Sequence, residues 1–535
     1  MNSELFLISP VKLKPWYKKG YVVPFALRFK FQDDPWTIAK RVLANESNAF
    51  FLDSARFQRK TARYSYLGWK PFRIFRAKES NHILPKLRKL FKPYRGRRWP
   101  ELPFFTGGAV GFFSYELAHA FETLPNHAED DLHLDRAALL FVRDLIVFDH
   151  KEKICFLIAN LIPAKDGSFE NAFHRAFQFI QESRVLVQQT KTVPVPLRDR
   201  FLFKPMEANL SRPELVPKSK PVPARTGTGD MNGHFAIRNF QADISERAFK
   251  QMVLRVKKYI EAGDIYQANL SQRFSFEFKG NAETLYESLR RINPSPFSSF
   301  LKIGPLTVAS VSPERLIKLD GDLCETRPIA GTRPRGETPA EEREFRRDLM
   351  MSPKERAEHI MLVDLERNDL GRVSEPKSVR VNELMTLEQY SHVVHIVSNI
   401  SGRLRKGYDR FDLLKAVFPG GTITGCPKIR SMEIIEELEP FKRHLYTGSI
   451  GYLDFNGDMD LNIVIRSLIL HRNKGYLQVG AGIVYDSDPE SEYWETLHKG
   501  KALIDALCGA IIARSVATKQ SLSSRLPRLA SRSSQ

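Results

Sequence analysis

Strand-like and helix-like stretches are mixed, rather than strictly alternating, through the densely patterned part of the chain, residues 240–512. Ser245 is placed to cap a helix that Gly263 would end, and a strand pattern follows directly. A later apolar run over residues 461–470 predicts one long strand, and a final helix is expected to begin near Pro489 and end with this zone. Such an order favours an α+β fold with antiparallel sheets.

Composition divides the chain into three zones and a tail. Residues 1–189 mix short apolar alternations with helical stretches, and residues 240–512 carry the dense pattern described above. Between them, residues 190–239 are rich in Pro, Lys and Ser, which predicts a linker or an exposed loop. The basic, Ser- and Arg-rich tail over residues 513–535 is expected to be disordered.

The composition also restricts the compartment in which the protein works. No run of about 18 uncharged apolar residues is present, so a membrane span is not expected. The N-terminus lacks the basic start, long apolar centre and cleavage site of a secretory signal. The four cysteines lie far apart without a CxxC pair, which is typical of the reducing cytoplasm and gives no metal-site spacing. We therefore predict a cytoplasmic protein without a membrane partner.

The formal net charge of +20 is the unusual feature of the composition. A basic protein can bind nucleic acid nonspecifically, and a positive field also attracts an anionic substrate. The basic residues are concentrated in residues 86–98 and in the acid-free tail after Asp505. Solvated basic faces are common, so nucleic acid is an unlikely partner on this evidence, and a non-catalytic nucleic-acid-binding protein is the alternative from another class.

The stretch over residues 418–440 predicts a place where a small anion could bind. Gly420, Gly421 and Gly425 allow the backbone to approach a ligand closely, and Pro427 is placed near the first turn of a helix. The unpaired N–H groups of a helix start attract anions. Glycine turns before helices are also common as purely structural elements.

Two predicted helices carry carboxylates one turn apart. Glu355 and Glu358 form one such pair, and Glu492 and Glu495 form the other, with Lys499 a turn further along the same face. Ordinary solvated helix faces show the same spacing. Taken together, however, the four carboxylates could hold a hard divalent cation such as Mg²⁺, which prefers oxygen ligands.

As a whole string, residues 418–440 resemble the catalytic domain of the chorismate-utilising enzymes, especially component I of aminodeoxychorismate synthase and of anthranilate synthase. The resemblance extends over most of the chain. It implies a two-part α/β sandwich of antiparallel sheets flanked by helices, chorismate as substrate and Mg²⁺ as cofactor. It also implies ammonia supplied by a separate glutamine amidotransferase subunit, since no glutaminase domain is recognised in this sequence.

The resemblance assigns roles to individual residues. The implied metal-binding residues are Glu358 and Glu495, with Glu492 as a close or water-mediated neighbour. Among the implied catalytic residues, His395 would assist departure of the C4 hydroxyl as general acid, and Glu355 and Thr422 would lie beside the substrate. The implied substrate-binding residues are Gln267, Tyr446, Arg466, Gly480, Ala481, Gly482 and Lys499.

Gln267 distinguishes classes within the family. Members that add water to chorismate carry a lysine at the matching position to activate that water, whereas ammonia is already nucleophilic. Gln267 therefore indicates an ammonia-using member.

Two groups of residues indicate different ammonia-using members of the family. Ala330 stands where many aminodeoxychorismate synthases carry a lysine thought to attack the ring, and Ala330 cannot be a nucleophile. In contrast, residues 293–301, 418–421 and 448–452 are more similar to aminodeoxychorismate synthases. We predict amination of chorismate at C4 to 4-amino-4-deoxychorismate, for p-aminobenzoate and folate synthesis. The alternative is anthranilate synthase component I, with C2 amination and loss of pyruvate for tryptophan synthesis.

Overall fold

A computed structural model describes residues 7–55, 62–188, 235–336, 338–389 and 393–523. Most of the predicted linker, positions 190–234, lies outside these residues, as does the end of the chain after position 523. The last part of the predicted linker is a strand instead of a loop. Residues 236–239 begin a strand that pairs with the strand over residues 267–279.

The described residues form two antiparallel sheets flanked by helices, which confirms the predicted fold class. The first sheet has the order β1 (Val23–Lys30), β8 (Ile154–Leu161), β7 (Asp144–Asp149), β3 (Tyr64–Trp69), β2 (Asn48–Asp53), β11 (Phe297–Ile303), β12 (Leu306–Ser312), β21 (Ser467–His471), β22 (Lys474–Ile483), β10 (Gln267–Lys279) and β18 (Gly425–Cys426), with β9 (Ala236–Ala242) also paired to β10.

The second sheet has the order β15 (Ile329–Pro334), β17 (Val393–Arg403), β14 (Leu323–Arg327), β13 (Arg315–Asp320), β20 (Met459–Asn462), β19 (Ser449–Asp454), β5 (Gly108–Phe113), β6 (Ala137–Val142) and β4 (Arg73–Ala77), with β16 (Arg380–Gln389) also paired to β17. The α-helices of the described residues are α1 (Pro10–Lys18), α2 (Pro35–Asn45), α3 (Ile83–Phe91), α4 (Pro163–Asp166), α5 (Phe169–Gln188), α6 (Glu246–Glu261), α7 (Ala282–Ile292), α8 (Pro339–Met351), α9 (Pro353–Gly371), α10 (Arg410–Val417), α11 (Lys428–Leu438) and α12 (Pro489–Ser523).

The two dense zones of the sequence interleave in both sheets. In the first sheet, β2 from the N-terminal zone pairs with β11 from the later zone, with Phe51 opposite Phe300. In the second sheet, β5 pairs with β19, with Val110 opposite Tyr452. The zones defined by composition are therefore parts of one sandwich, because each sheet is continuous only when both contribute strands.

The core has layers that follow the strand period of two. Phe50 lies in the apolar cluster between the two sheets, together with Val110 and Tyr452 of the second sheet. Its neighbours Ala49 and Phe51 lie in the cluster on the outer face of the first sheet, where helices cover it. Helices thus pack on the outside of a sheet-on-sheet interior.

Two elements differ from the sequence prediction. The run over residues 461–470 is not one strand: β20 ends at Asn462 in the second sheet and β21 begins at Ser467 in the first. Apolar periodicity does not distinguish a continuous strand from one that crosses between two buried sheets. The last helix continues past the predicted end at 512 to Ser523, so the first part of the tail expected to be disordered is helical.

No helix of the described residues is long and apolar enough to cross a membrane.

The pairing of β2 with β11 predicts that both zones unfold together. Phe300 is fully buried in this pairing and contacts the rings of Trp36 and Tyr286. Because the truncation leaves a cavity in a shared core, Phe300→Ala is expected to lower the free energy of unfolding by about 3–5 kcal/mol. Scanning calorimetry should show one transition that shifts as a whole, whereas the exposed control Leu254→Ala should shift it little. Two separate transitions would contradict the interleaved fold.

Candidate active site

Lys499 lies where the side chains predicted from the sequence converge. Its Nζ is 2.7 Å from Glu495 Oε1 on the same helix, α12. Its positive charge lowers the pKa of one further carboxyl group on α12 and of three groups from other parts of the chain. Electrostatic effects of this kind decay with distance, so these groups lie around one point. They are Glu314, Glu358, His395 and Glu492.

Gly480 and Gly482 form a close backbone approach on β22. A Cβ atom on Gly480 would lie 2.6 Å from the Tyr446 hydroxyl, and one on Gly482 would collide with the Gln267 amide nitrogen. Tyr446 and Gln267 therefore contact this stretch of backbone directly. The side chain of Ala481 belongs instead to a buried apolar cluster, so this residue can offer a ligand only its backbone.

One edge of β22 is open at these glycines. Its pairing with β21 ends at Leu477, whereas its pairing with β10 continues to Ile483. Beyond Leu477 the described residues contain no strand on the β21 side, so backbone N–H groups there can bind an anion. This agrees with the substrate-binding role predicted for residues 480–482, which stays a prediction.

Gln267 contacts Glu358 at the start of β10. The Gln267 amide donates a hydrogen bond from Nε2 to Oε1 of Glu358 at 3.0 Å. Burial raises the pKa of the Glu358 carboxyl, the hydrogen bond from Gln267 opposes this rise, and the negative charge of Glu355 adds to it. Ser352 caps α9 by accepting a hydrogen bond from the Glu355 backbone N–H, and helical spacing then puts Glu355 and Glu358 on one face.

Glu355 forms an ion pair. Its Oε1 accepts a hydrogen bond from Nη1 of Arg333 at 3.0 Å, and a Cβ atom on Gly331 would lie 2.9 Å from its other oxygen. Arg333 also pairs with Asp348. Glu355 thus lies next to the backbone of β15 and close to Glu358. The catalytic role that the resemblance implies for Glu355 stays a prediction.

The two carboxylates of α12 have different surroundings. Glu492 is buried, and its Oε1 accepts a hydrogen bond from the Ser487 hydroxyl at 2.6 Å. Its second oxygen, Oε2, is buried without a hydrogen-bond partner among the described residues. Burial raises the pKa of Glu492, and the hydrogen bond from Ser487 opposes the rise. Glu495 is about half exposed and paired with Lys499.

These carboxylates fit a hard divalent cation but do not form a preassembled cluster. No group of three or more His, Cys, Asp or Glu side chains in the described residues is already arranged to hold a metal ion. The donors are nevertheless carboxylate oxygens, which Mg²⁺ prefers, and Oε2 of Glu492 is buried without a partner. A dication would also neutralise the half-buried Glu358 and the buried Glu492. Magnesium binding by Glu358, Glu492 and Glu495 remains a prediction.

His395 is neutral in this environment. Its Nδ1 shares a hydrogen bond with the Thr332 hydroxyl at 2.9 Å and lies 3.3 Å from the Gly331 carbonyl oxygen. Burial, together with the positive charges of Arg466 and Lys499, lowers the pKa of His395 to about 3. A neutral imidazole at pH 7 is a poor proton donor, so the predicted general-acid role would require an anionic ligand to raise this pKa.

Glu314 is a site residue that the sequence analysis missed. It is buried, and its Oε1 accepts a hydrogen bond from the Thr422 hydroxyl at 2.8 Å. Burial raises the pKa of Glu314 to about 7, although Thr422, Arg466 and Lys499 oppose the rise. A carboxyl with a pKa near the working pH suits a general acid. Glu314 is a single carboxylate after the strand β12, so the search for carboxylates one helical turn apart did not find it. Its position directly after a buried strand is the sequence signal that could have identified it.

Arg466 lies where the chain crosses from the second sheet to the first. It has a left-handed backbone, with φ at 52°, and its side chain is half-buried. Its charge lowers the pKa of both Glu314 and His395, so the guanidinium lies near these two groups. An arginine can bind a carboxylate through two parallel hydrogen bonds. The strand predicted over residues 461–470 is interrupted before Ser467, and this interruption brings Arg466 close to Glu314 and His395.

Cations, open backbone amides and buried carboxyl groups around one point define an enzyme site for a small anionic substrate. The chain belongs to the family of chorismate-binding enzymes, whose model matches residues 48–505. It is 37% identical to anthranilate synthase component 1 of Acetivibrio thermocellus, over 93% of this chain and 97% of that protein. It is 39% identical to aminodeoxychorismate synthase component 1 of Bacillus subtilis (strain 168), over 90% of this chain and 97% of that protein.

A solved structure agrees with the fold. The crystal structure of anthranilate synthase component I from Streptococcus pneumoniae TIGR4 superimposes with a TM-score of 0.68 at 33% identity, covering 84% of this chain and 93% of that one. The predicted family and its sandwich of antiparallel sheets are confirmed. Identities of 37% and 39% are too close to separate the two kinds of relative.

Glu314→Gln tests the burial of this carboxyl through the pH dependence of stability. The folded protein keeps the proton up to about pH 7, whereas an unperturbed glutamate releases it near 4.5. The stabilisation from this group is therefore complete below about pH 4.5 and is lost as the pH rises through 7. The neutral variant avoids that loss, so at pH 8 we expect it to be more stable than the unmutated chain by about 3 kcal/mol.

Urea unfolding at pH 5 and pH 8 measures this difference. The exposed control Glu375→Gln should change stability by less than about 0.5 kcal/mol at both pH values. A Glu314→Gln variant that loses stability equally at both pH values would show that Glu314 is not held protonated by burial.

Proposed function

We propose that the protein aminates chorismate at C4 with ammonia, giving 4-amino-4-deoxychorismate. The supporting observation is the hydrogen bond from Gln267 to Glu358. An amide at this place cannot take a proton from water at neutral pH, whereas ammonia needs no such base. The pair therefore favours ammonia over water as the nucleophile.

The positive groups of the site suit an anionic substrate such as chorismate. Arg466, Lys499 and the open backbone edge at Gly480 and Gly482 would bind and orient its carboxylates. Tyr446 is buried beside Gly480 and would restrict the position of the ring. Glu358, Glu492 and Glu495 would hold Mg²⁺, which would supply positive charge to stabilise an anionic substrate.

Glu314 would supply the proton for the leaving group. Its pKa of about 7 keeps a substantial protonated fraction near neutrality, and the Thr422 hydroxyl fixes its orientation. As the C4–O bond breaks, the hydroxyl group leaves with the bond's electron pair and takes the Glu314 proton, which gives water. The lone pair of ammonia forms the new C–N bond, and the resulting ammonium group returns one proton to the Glu314 carboxylate. His395 would orient the substrate from the Thr332 side, since it is neutral near pH 7.

The ammonia would come from a glutamine amidotransferase subunit. The relatives of this chain are named component 1 of their synthases, so each has at least one further component. We infer the same division of labour here, with glutamine hydrolysed on a separate subunit.

Anthranilate synthesis is the second candidate, and Ala330 is the observation that favours it. Ala330 lies on β15, directly before Gly331, whose Cα lies beside Glu355. Its methyl side chain cannot attack the substrate ring. A reaction that adds ammonia at C2 and expels pyruvate needs no nucleophile at this place.

Product identification tests the proposal directly. Purified protein is incubated with chorismate, Mg²⁺ and ammonium salt, with and without added aminodeoxychorismate lyase. We expect p-aminobenzoate that appears only with the lyase. Lyase-independent anthranilate, seen by its fluorescence, would contradict C4 amination and favour the second candidate. No turnover together with salt-sensitive nucleic-acid binding would favour a non-catalytic protein.

A matched pair of glycine variants locates the activity. Gly482→Ala adds a methyl group against the Gln267 amide and should lower turnover at least tenfold, because it displaces the contact with Glu358. Gly371→Ala is the control, because a Cβ atom there meets nothing within 4 Å beyond its chain neighbours and the backbone of its own helix. Equal turnover in the two variants would place the reaction elsewhere.

A further inference from the structure

Two side-chain carbonyl oxygens next to the open edge of β22 are buried without a hydrogen-bond partner among the described residues. They are Oε1 of Gln267 and Oδ1 of Asn269, both on β10. A buried acceptor that makes no hydrogen bond lowers stability, and such atoms are uncommon in folded proteins. Gln267 as a whole is only 4% exposed. Two unpaired oxygens this close in sequence indicate a place that a ligand with hydrogen-bond donors would complete.

The strand period directs both amides to one side of β10. Side chains two residues apart on a strand lie on the same face of the sheet. On the neighbouring strand, Asn269 pairs with Gly482, and Gly480 occupies the next position on that face. A Cβ atom on Gly480 would lie 2.7 Å from Asn269 Oδ1. The two glycines therefore leave open the space beside the amides that other side chains would fill.

Asn269 is held firmly by contacts of its backbone. Its N–H group donates a hydrogen bond to the Thr424 carbonyl oxygen at 2.8 Å, and its own carbonyl oxygen accepts one from the Arg443 guanidinium. Arg443 is itself buried and paired with Glu439 at 2.7 Å. Asn269 is thus a well-fixed residue whose buried amide oxygen is still unpaired, as expected of a site that is organised before its ligand binds.

Ammonia supplies the hydrogen-bond donors that two carbonyl oxygens need. Chorismate is a dianion whose carboxylate and ether oxygens only accept hydrogen bonds, and its C4 hydroxyl supplies a single donor. Ammonia has three N–H donors and one lone pair. When two of its N–H groups donate to the amide oxygens, the lone pair remains available to attack the ring. As the C–N bond forms, the nitrogen gains positive charge, and carbonyl dipoles that already point at it stabilise that charge.

Uncharged acceptors suit a site that also binds a dianion. Gln267 already contacts the Glu358 carboxylate at 3.0 Å. A further carboxylate at position 269 would repel the carboxylates of chorismate, whereas an amide oxygen accepts hydrogen bonds without a net charge. The cations of the site, Arg466 and Lys499, disfavour a bound ammonium ion for the same electrostatic reason. Neutral ammonia is therefore the form that fits both the amides and the cations.

We propose that Gln267 Oε1 and Asn269 Oδ1 bind the ammonia nucleophile, with its lone pair directed at the substrate ring. This inference rests on the proposed function, because it gives the nucleophile of that reaction a place. The nitrogen lone pair forms the C–N bond, and the C4–O bond breaks with its electron pair leaving on the hydroxyl group, which takes the Glu314 proton. One proton of the new ammonium group returns to Glu314, and the two amides neither gain nor lose a proton. Asn269 is then a catalytic residue, since it contacts the reacting nitrogen.

Asn269→Leu removes the acceptor oxygen and nearly keeps the size of the side chain. At saturating chorismate, kcat/KM for ammonium should fall about tenfold or more, because a hydrogen bond to developing positive charge is lost. The KM for chorismate should change by less than about twofold, since the amide oxygen does not bind its carboxylates. Both constants are measured by steady-state turnover of the full chain with ammonium salt.

Asn269→Asp should give the opposite pattern. It keeps an acceptor oxygen and adds a negative charge, so the KM for chorismate should rise about tenfold or more, while kcat/KM for ammonium changes by less than about threefold. Asn399→Leu on β17 is the matched control, because the Asn399 amide donates to Asn382 at 2.8 Å. This control should leave both constants within about twofold. Thermal unfolding shows which variants fold, and Asn269→Ala replaces the leucine variant if that variant does not.

The product separates this inference from the proposed function. Anthranilate from the unmutated chain would overturn C4 amination, yet a selective loss of kcat/KM for ammonium in Asn269→Leu would still support the nucleophile site. Conversely, 4-amino-4-deoxychorismate from the unmutated chain, with an unchanged kcat/KM for ammonium in Asn269→Leu, would support the proposed function and overturn the nucleophile site.

Two further outcomes would overturn the nucleophile site. The first is a raised KM for chorismate in Asn269→Leu without a loss of kcat/KM for ammonium, which would assign Oδ1 to the C4 hydroxyl of the substrate. The second is an equal loss of both constants in Asn269→Leu and Asn399→Leu, which would show a general effect of the substitution on the fold.

Discussion

Burial of carboxyl groups is the constraint on which the site depends. Glu314, Glu358 and Glu492 have raised pKa values because burial disfavours their charged forms. Thr422, Gln267 and Ser487 each donate one hydrogen bond to these groups and offset part of this effect. Lys499 lowers all three pKa values from one position. The unliganded site therefore holds negative charge poorly, and positive charge brought by a cation would be strongly favoured.

The sandwich fold explains why these groups meet. α9 and α12 belong to distant parts of the sequence, but α9 packs against β15 and β17 of the second sheet and α12 packs against β22 of the first. The chain crosses from the second sheet to the first between β20 and β21, and Arg466 lies in this connection. The open edge of β22 and the two helix faces thus surround one volume. Neither sheet alone would assemble the site.

Local features of the sequence were predicted correctly because they depend on short-range physics. Ser245 caps α6 as expected, since an N-cap needs only its own helix. The spacing of Glu355 and Glu358 and the α+β order are likewise local patterns. The interleaving of the two zones, the crossing at Arg466 and the burial of Glu314 depend on contacts between distant residues. Periodicity contains no information about them, so they emerged only with the tertiary structure.

The same limit applies to function. The family follows from motifs and is shown by similarity, whereas the position of ammonia addition depends on where the ring lies relative to Ala330 and Gln267.

The most direct test of the carboxylate site is a crystal structure of the protein soaked with Mn²⁺, a hard cation whose anomalous scattering identifies it. We expect one anomalous peak bound by Glu358 from α9 and by Glu492 or Glu495 from α12. Absence of a peak between these helices, or a peak bound only elsewhere on the protein, would contradict a metal site formed by the carboxylates of the two helices.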